Sequence, residues 1–296
     1  MRKIINFLID GIFFIPAAIL LALFAAFAYV PALDGVYEEF MEQRNPAVLA
    51  IIMIALIFLL GFSSWLMGKW YTLKLNSTLK IEDINERINA QEDLLKTYFL
   101  DQGDKEMAGT FVKSKMTILY TLAISYISHF EDYKTALTYL ERAALLSVRL
   151  KMDNSNIKLA NNLADNCRLW EALALSALGE YDSAERKIAP SMAHIKTLAP
   201  LDRATVWLAQ TDLATRRKDI AAAREYHGIL DTELREIAAK FKQPDVIYDS
   251  ILFDGILDKL EGKTDLARTK LEDVLNNTPD GGNRLRARRE LEELIV

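Results

Sequence analysis

Two long stretches without charge constrain this chain more than anything else in it. Residues 11–30, GIFFIPAAILLALFAAFAYV, carry 18 apolar side chains in 20 positions, and residues 47–67, AVLAIIMIALIFLLGFSSWLM, carry 18 in 21. At about 1.5 Å per residue each makes a helix of about 30 Å, the hydrocarbon thickness of a bilayer. Buried helices of globular proteins rarely run that far without a charge, so both are predicted to span a membrane as a hairpin joined by the short link 31–46. Lys and Arg beside a span are retained on the cytoplasmic side. Arg2 and Lys3 precede the first span and Lys69, Lys74 and Lys80 follow the second, whereas the link carries Arg44 among Asp34, Glu38, Glu39 and Glu42. Both termini are therefore expected in the cytoplasm. Ala26-Phe27-Ala28 leaves a cleaved leader as the alternative for the first span, and the second span keeps its orientation in either case.

The mean hydropathy of +0.06 averages two unlike parts. Residues 1–68 have a net charge of -2, and residues 69–296 carry 33 basic and 36 acidic side chains, a net of -3. Gly and Pro together number 19 of 296 residues, about half the usual share, which points to helices rather than a turn-rich all-β chain. One cysteine excludes a disulfide within the chain and a Cys-based zinc site. A mildly acidic total gives no electrostatic reason to bind nucleic acid.

Beyond the spans, Ile81, Ile84, Ile88, Gln91, Leu95 and Tyr98 recur at spacings of 3 and 4, which predicts an amphipathic juxtamembrane helix within 69–104, ending near Gly103. It either docks on the domain that follows or mediates self-association. From about Glu106 the chain repeats helix, turn, helix. The turns SHFEDYKTA, ALGEYDSA, TRRKDIAAA and LEGKTDLA each end in a small residue, Ala136, Ala184, Ala223 and Ala267, spaced by 48, 39 and 44 residues. Tyr133, Tyr181, Ile220 and Thr264 stand three positions before those alanines, and Leu140, Ile188, His227 and Leu271 four after. A period of 20 to 50 residues with one helical hairpin per unit is the mark of a solenoid.

Tyr120, Ala123, Tyr133, Ala136, Leu140 and Ala143 in the first unit resemble the tetratricopeptide (TPR) repeat family. Ala172, Gly179, Tyr181, Ala184 and Ile188 continue the resemblance, with Arg168 in place of a bulky residue. Trp207, Ala223 and Leu230, then Gly255, Gly262, Ala267, Leu271 and Pro279, carry it to about residue 280. Periods longer than the family's 34 residues imply longer helices or inserted turns. The fold class expected is all-α: a transmembrane hairpin over 1–68, then a TPR-like α-solenoid over 105–296 with a capping helix from about 283. The whole layout also resembles bacterial membrane-anchored repeat proteins of the envelope, of the lipopolysaccharide-assembly and haem-biosynthesis-associated kinds.

Chemistry is sparse. His129, His194 and His227 have no metal-spaced partners, Cys167 has no His near it in sequence, and Asp280-Gly281-Gly282-Asn283 lacks the Lys of a phosphate loop. No catalytic residue, cofactor or metal is expected. Arg284, Arg286, Arg288 and Arg289 form the densest basic cluster, read as a solvated cap pairing along the helix with Glu290, Glu292 and Glu293. The resemblance implies a concave groove for peptides or partner helices. Its positions here are Thr121, Ser125, His129, Asn166, Asp212, Arg216, Asp249 and Lys259. The function expected is a membrane-anchored adaptor for protein partners; a sensor, in which the hairpin reports lipid or envelope state to the repeats, is the alternative.

Overall fold

The computed structural model describes residues 69–96, 109–152, 157–278 and 281–294, with two compact units dividing after Asn76. The two apolar spans lie outside the described residues. Among the described residues no helix is long and apolar enough to cross a membrane, and all regular structure is helical. In the first unit the described residues are helical, with the Trp70 ring packed edge-on against Tyr71 at 4.7 Å.

The second unit opens with α1 (Ile84–Leu95), started by Asp83, whose carboxylate accepts from the Glu86 N–H at 2.8 Å. Such a cap satisfies one of the four N–H groups a helix start leaves unpaired. The amphipathic seam was expected to run continuously from Ile81; instead a turn at 79–83 precedes the helix, and the buried line is Ile88, Gln91 and Leu94. Leu94 thus takes the place expected for Leu95. That face packs on α2 (Gly109–Ser125). Glu92 reinforces the seat by accepting from the hydroxyls of Tyr126 at 2.9 Å and Tyr139 at 3.1 Å. Burial and that hydrogen bond push the Tyr126 phenol up to about 12.

Four helical hairpins follow in chain order: α2 with α3 (Tyr133–Met152), α4 (Ile157–Ala177) with α5 (Tyr181–Ala193), α6 (Pro200–Arg216) with α7 (Ile220–Phe241), and α8 (Ile247–Leu260) with α9 (Thr264–Asn277). Each second helix starts at the residue that the turn pattern singles out. Two residues earlier the backbone enters the left-handed region at Glu131 (φ 51°), Gly179 (φ 82°), Lys218 (φ 60°) and Gly262 (φ 77°). In the last three turns the residue after it donates its N–H back to the carbonyl five positions earlier: Glu180 to Leu175, Asp219 to Ala214 and Lys263 to Asp258. This closes the preceding helix by the Schellman bond. The first turn differs. Residues Tyr126–Phe130 form a π-helical turn, and the Asp132 N–H reaches back six positions, to Tyr126.

The small residues sit where helices approach closely. Ala136, Ala184, Ala223 and Ala267 are fully buried, and Leu140, Ile188 and Leu271, four positions on, fill the space beside them. Burying an aliphatic side chain of that size contributes about 1.5–3 kcal/mol. At Gly255 a Cβ would lie 3.0 Å from Leu271 Cγ, so α8 and α9 meet there at glycine distance. Helices of 20, 21 and 22 residues in α3, α4 and α7 account for the long repeat period. Pro190 lies inside α5 on its exposed side, and Pro200 takes the first turn of α6, where a missing N–H costs nothing. Arg168 takes the bulky position in α4 by pairing with Asp165, which also lies 3.6 Å from His194 Nε2 after α5.

The last helix, α10 (Gly282–Glu292), packs on α9 and α8 as the next layer of the stack. It also touches the π turn of the first hairpin. The stacked hairpins therefore curve back until the last helix meets the first turn.

Candidate functional site

Between the helices that line the inside of this curve lies a cavity of about 1080 Å³. First helices supply its floor, with Trp170 and Leu173 from α4, Leu208 from α6 and Leu252 from α8, joined by Leu230 and Leu234 of α7. Leu201 at its edge is 60% exposed, an apolar side chain left uncovered. Charged groups form the walls. At the centre the Asp212 carboxylate, buried in α6, accepts from Arg216 Nε and Ser176 Oγ, each 2.9 Å from Oδ2, and from Arg286 Nη1 at 2.8 Å. Burial by itself would raise this carboxyl, but Arg286 and Arg216 outweigh it and hold it below the usual carboxylate range. A buried charge persists only with such partners.

Five of the eight expected groove residues line the cavity: His129, Asn166, Asp212, Arg216 and Asp249. His129 sits in the π turn with its Nε2 3.4 Å from Arg87 Nη2, and burial followed by that positive charge lowers its pKa. Asp249 accepts from Asn283 Nδ2 at 2.6 Å, and burial raises its carboxyl against that bond. The other three do not line the cavity. Thr121 donates to its own helix at the Ile118 carbonyl, Ser125 is buried at the end of α2, and Lys259 is engaged by Glu290 at 2.8 Å and Glu293 at 2.5 Å.

What residue reasoning missed is the role of α10. Its arginines were expected to pair along their own helix; instead two of them, Arg286 and Arg289, reach across the curve. Arg286 bonds Asp212 and lies over the Phe253 ring at 4.7 Å, and Arg289 Nη1 bonds Glu131 Oε2 at 2.6 Å, 158 positions away in sequence. A Cβ on Gly282 would lie 2.5 Å from the Ser128 carbonyl oxygen, so only glycine fits where the helix meets the π turn. The available signal was the spacing of Asn283, Arg286, Glu290 and Glu293, which places them along one face.

Two other arrangements invite a chemical reading. Ser250, His227 and Asp231 lie together, but the Ser250 hydroxyl donates to Asp231 at 2.7 Å and is buried, leaving the His227 ring to donate to Ser250 oxygens at 3.0 Å. A nucleophilic triad needs the carboxylate on the imidazole and the hydroxyl open to substrate. This set fastens α7 to α8. Cys167 is fully buried, and burial pushes its thiol up to about 12. A thiol so protonated is a packing group rather than a nucleophile. Among the described residues no group of His, Cys, Asp or Glu is placed to hold a metal ion.

Comparison of the chain with family models, with curated proteins and with solved structures gives no match.

Proposed function

We propose that this protein is a TPR-like adaptor, anchored by a two-helix hairpin in the inner membrane of a bacterium, that gathers protein partners at the cytoplasmic face. The observation that carries this reading is the large channel inside the stacked hairpins, which brings together five groove positions scattered from His129 to Asp249. A concave, mostly apolar recess with a few placed polar groups suits a peptide or a partner helix. Tethering such a module to a membrane raises its effective concentration and makes weak contacts useful. Envelope assembly or quality control is the context that fits. Photo-crosslinking in cells from Asn166 and His129, with Arg186 on the outside of α5 as the control position, tests the reading. Capture of one protein set from the channel positions alone supports it; identical capture from all three defeats it.

The sensor alternative is favoured by one observation. Glu92 of α1 holds the first hairpin through Tyr126 and Tyr139, so the segment that follows the apolar spans is tied directly to the repeats. Replacing residues 1–68 by an unrelated two-span anchor separates the two readings. An adaptor keeps its captured partners and its cellular role, whereas a sensor loses its role.

A further inference from the structure

We propose that the channel recognises a basic, leucine-bearing peptide segment of a partner protein, and that α10 occupies part of this site as an intramolecular stand-in. The proposal rests on the adaptor reading and adds the chemistry of what is bound.

Charge complementarity carries it. Apart from α10, the charged side chains lining the channel are seven carboxylates against two guanidinium groups. Against this acidic lining α10 presents Arg284, Arg286 and Arg288 and no carboxylate, while its Glu290 and Glu293 engage Lys259. The seated helix thus shows which chemistry the walls accept: a guanidinium on Asp212 and an amide on Asp249. The site is not used up by this guest. A cavity of about 1080 Å³ remains beside α10. Asp202 on α6 and Asp245 before α8 line it, and neither carboxylate has a hydrogen-bond or ion-pair partner among the described residues. Leu201 and Leu285 stand exposed at the same cavity, over an apolar floor that would take an aliphatic side chain. With α10 seated the lining holds seven carboxylates and five guanidinium groups, and it is the two partnerless carboxylates, Asp202 and Asp245, that favour a basic occupant over phosphate.

The guest's hold is also of a kind that a competitor can break. Its polar fastenings are Arg286 to Asp212, Asn283 to Asp249, Arg289 to Glu131 and Glu290 to Lys259, the third of them partly exposed, beside the apolar packing of Ala287 and Leu291 on α8 and α9. A partner segment with the same residue types exchanges the ion pairs of Arg286 and Arg289 for its own, while Ala287 and Leu291 keep the resident helix seated on α8 and α9.

The test uses the full chain in detergent and a fluorescent peptide of the α10 sequence, GNRLRARRELE, read by anisotropy at low salt. Arg286→Ala with Arg289→Ala weakens the resident helix and is expected to bind the peptide at least about ten-fold more tightly than the unaltered chain. Asp202→Asn with Asp245→Asn, two partnerless groups, is expected to keep the melting temperature of the unaltered chain, to weaken peptide binding by about five- to ten-fold and to lower its salt dependence. A peptide with every Arg replaced by Glu is expected not to bind. Equal binding of the Glu peptide, or no change in either variant, overturns the proposal. So does dimerisation of the Arg286→Ala, Arg289→Ala chain that the free peptide does not reverse, because the occupant is then a second copy. If channel crosslinking in cells captures a partner whose bound segment is acidic or uncharged, the adaptor reading stands and this inference falls.

Discussion

The first hairpin and the three that follow use one turn design with a single difference, and the difference has a structural purpose. All four place a left-handed residue two positions before the second helix. Three close with the N–H bond across five residues, while the first bridges six through the π turn at Tyr126–Phe130. One extra residue in that turn costs hydrogen-bond regularity and carries Ser128 to where its carbonyl receives Gly282. The regular turns serve only their own hairpins. The irregular one also meets the far end of the stack, at Gly282 of α10.

Substitutions can break this contrast, and the largest effect is expected at the seam itself. Gly282→Val puts a Cβ and two methyl groups against the Ser128 backbone, which cannot give way as a flexible side chain would. A loss of about 2–3 kcal/mol in urea unfolding is expected. Gly228→Ala, in α7 with nothing within 4 Å of its Cβ, should instead gain up to about 1 kcal/mol.

Next in size is acid sensitivity, at the seam and at the end of α8. Asp212 is held below its ordinary value, so its contribution is complete above about pH 4 and is lost as pH falls through its lower folded value. Glu261, brought down to about 2 by its hydrogen bonds from Arg224 and Lys263, behaves in the same sense between about pH 4.5 and 2. Asp249 has the opposite sign. Its folded pKa is raised, so its ionisation works against the fold as pH rises. Asp212→Asn should flatten the acid fall in Tm, and Asp249→Asn should raise Tm at pH 7 without raising it at pH 3.

A closer test of packing against turn geometry is Gly255→Ala, where Leu271 and Lys270 crowd the new methyl group; a cost of about 1–2 kcal/mol is expected. Hydrogen exchange resolves the two regions, since Gly282→Val should expose α10 amides selectively and Gly255→Ala those of α8 and α9. The smallest expected change sharpens the comparison of turns. Lys218 holds the left-handed position that glycine holds at 179 and 262, so Lys218→Gly should stabilise by about 0.5–1 kcal/mol, measured as a rise in the urea midpoint.

The turns were legible because they are local. Tyr133, Tyr181, Ile220 and Thr264 start their helices as the pattern implies, since the small residue three positions on must face the partner helix wherever the hairpin is placed. Helix α1 was legible in kind but not in its buried face: Ile88, Gln91 and Leu94 are buried, with Leu94 in the place expected for Leu95. The site was legible only in part. Asn166, Asp212, Arg216 and Asp249 on first helices line the cavity, with His129 from the π turn, whereas Thr121, Ser125 and Lys259 do not, so repeat position alone does not decide which side chains face it. The partners of α10 could not be named in advance, because the curvature that brings Arg289 to Glu131 is the sum of small rotations over the whole stack, and no single repeat encodes it.

The buried thiol of Cys167 has a practical consequence. The chain has one cysteine, and that one is sealed from solvent and kept protonated by burial. A cysteine introduced at any exposed position is then the group that reacts with a maleimide, with no need to alter the native residue. Paired labels on Lys218 and Arg288 positions would report, in a single molecule and in real time, whether the last helix lifts from the channel when a peptide arrives.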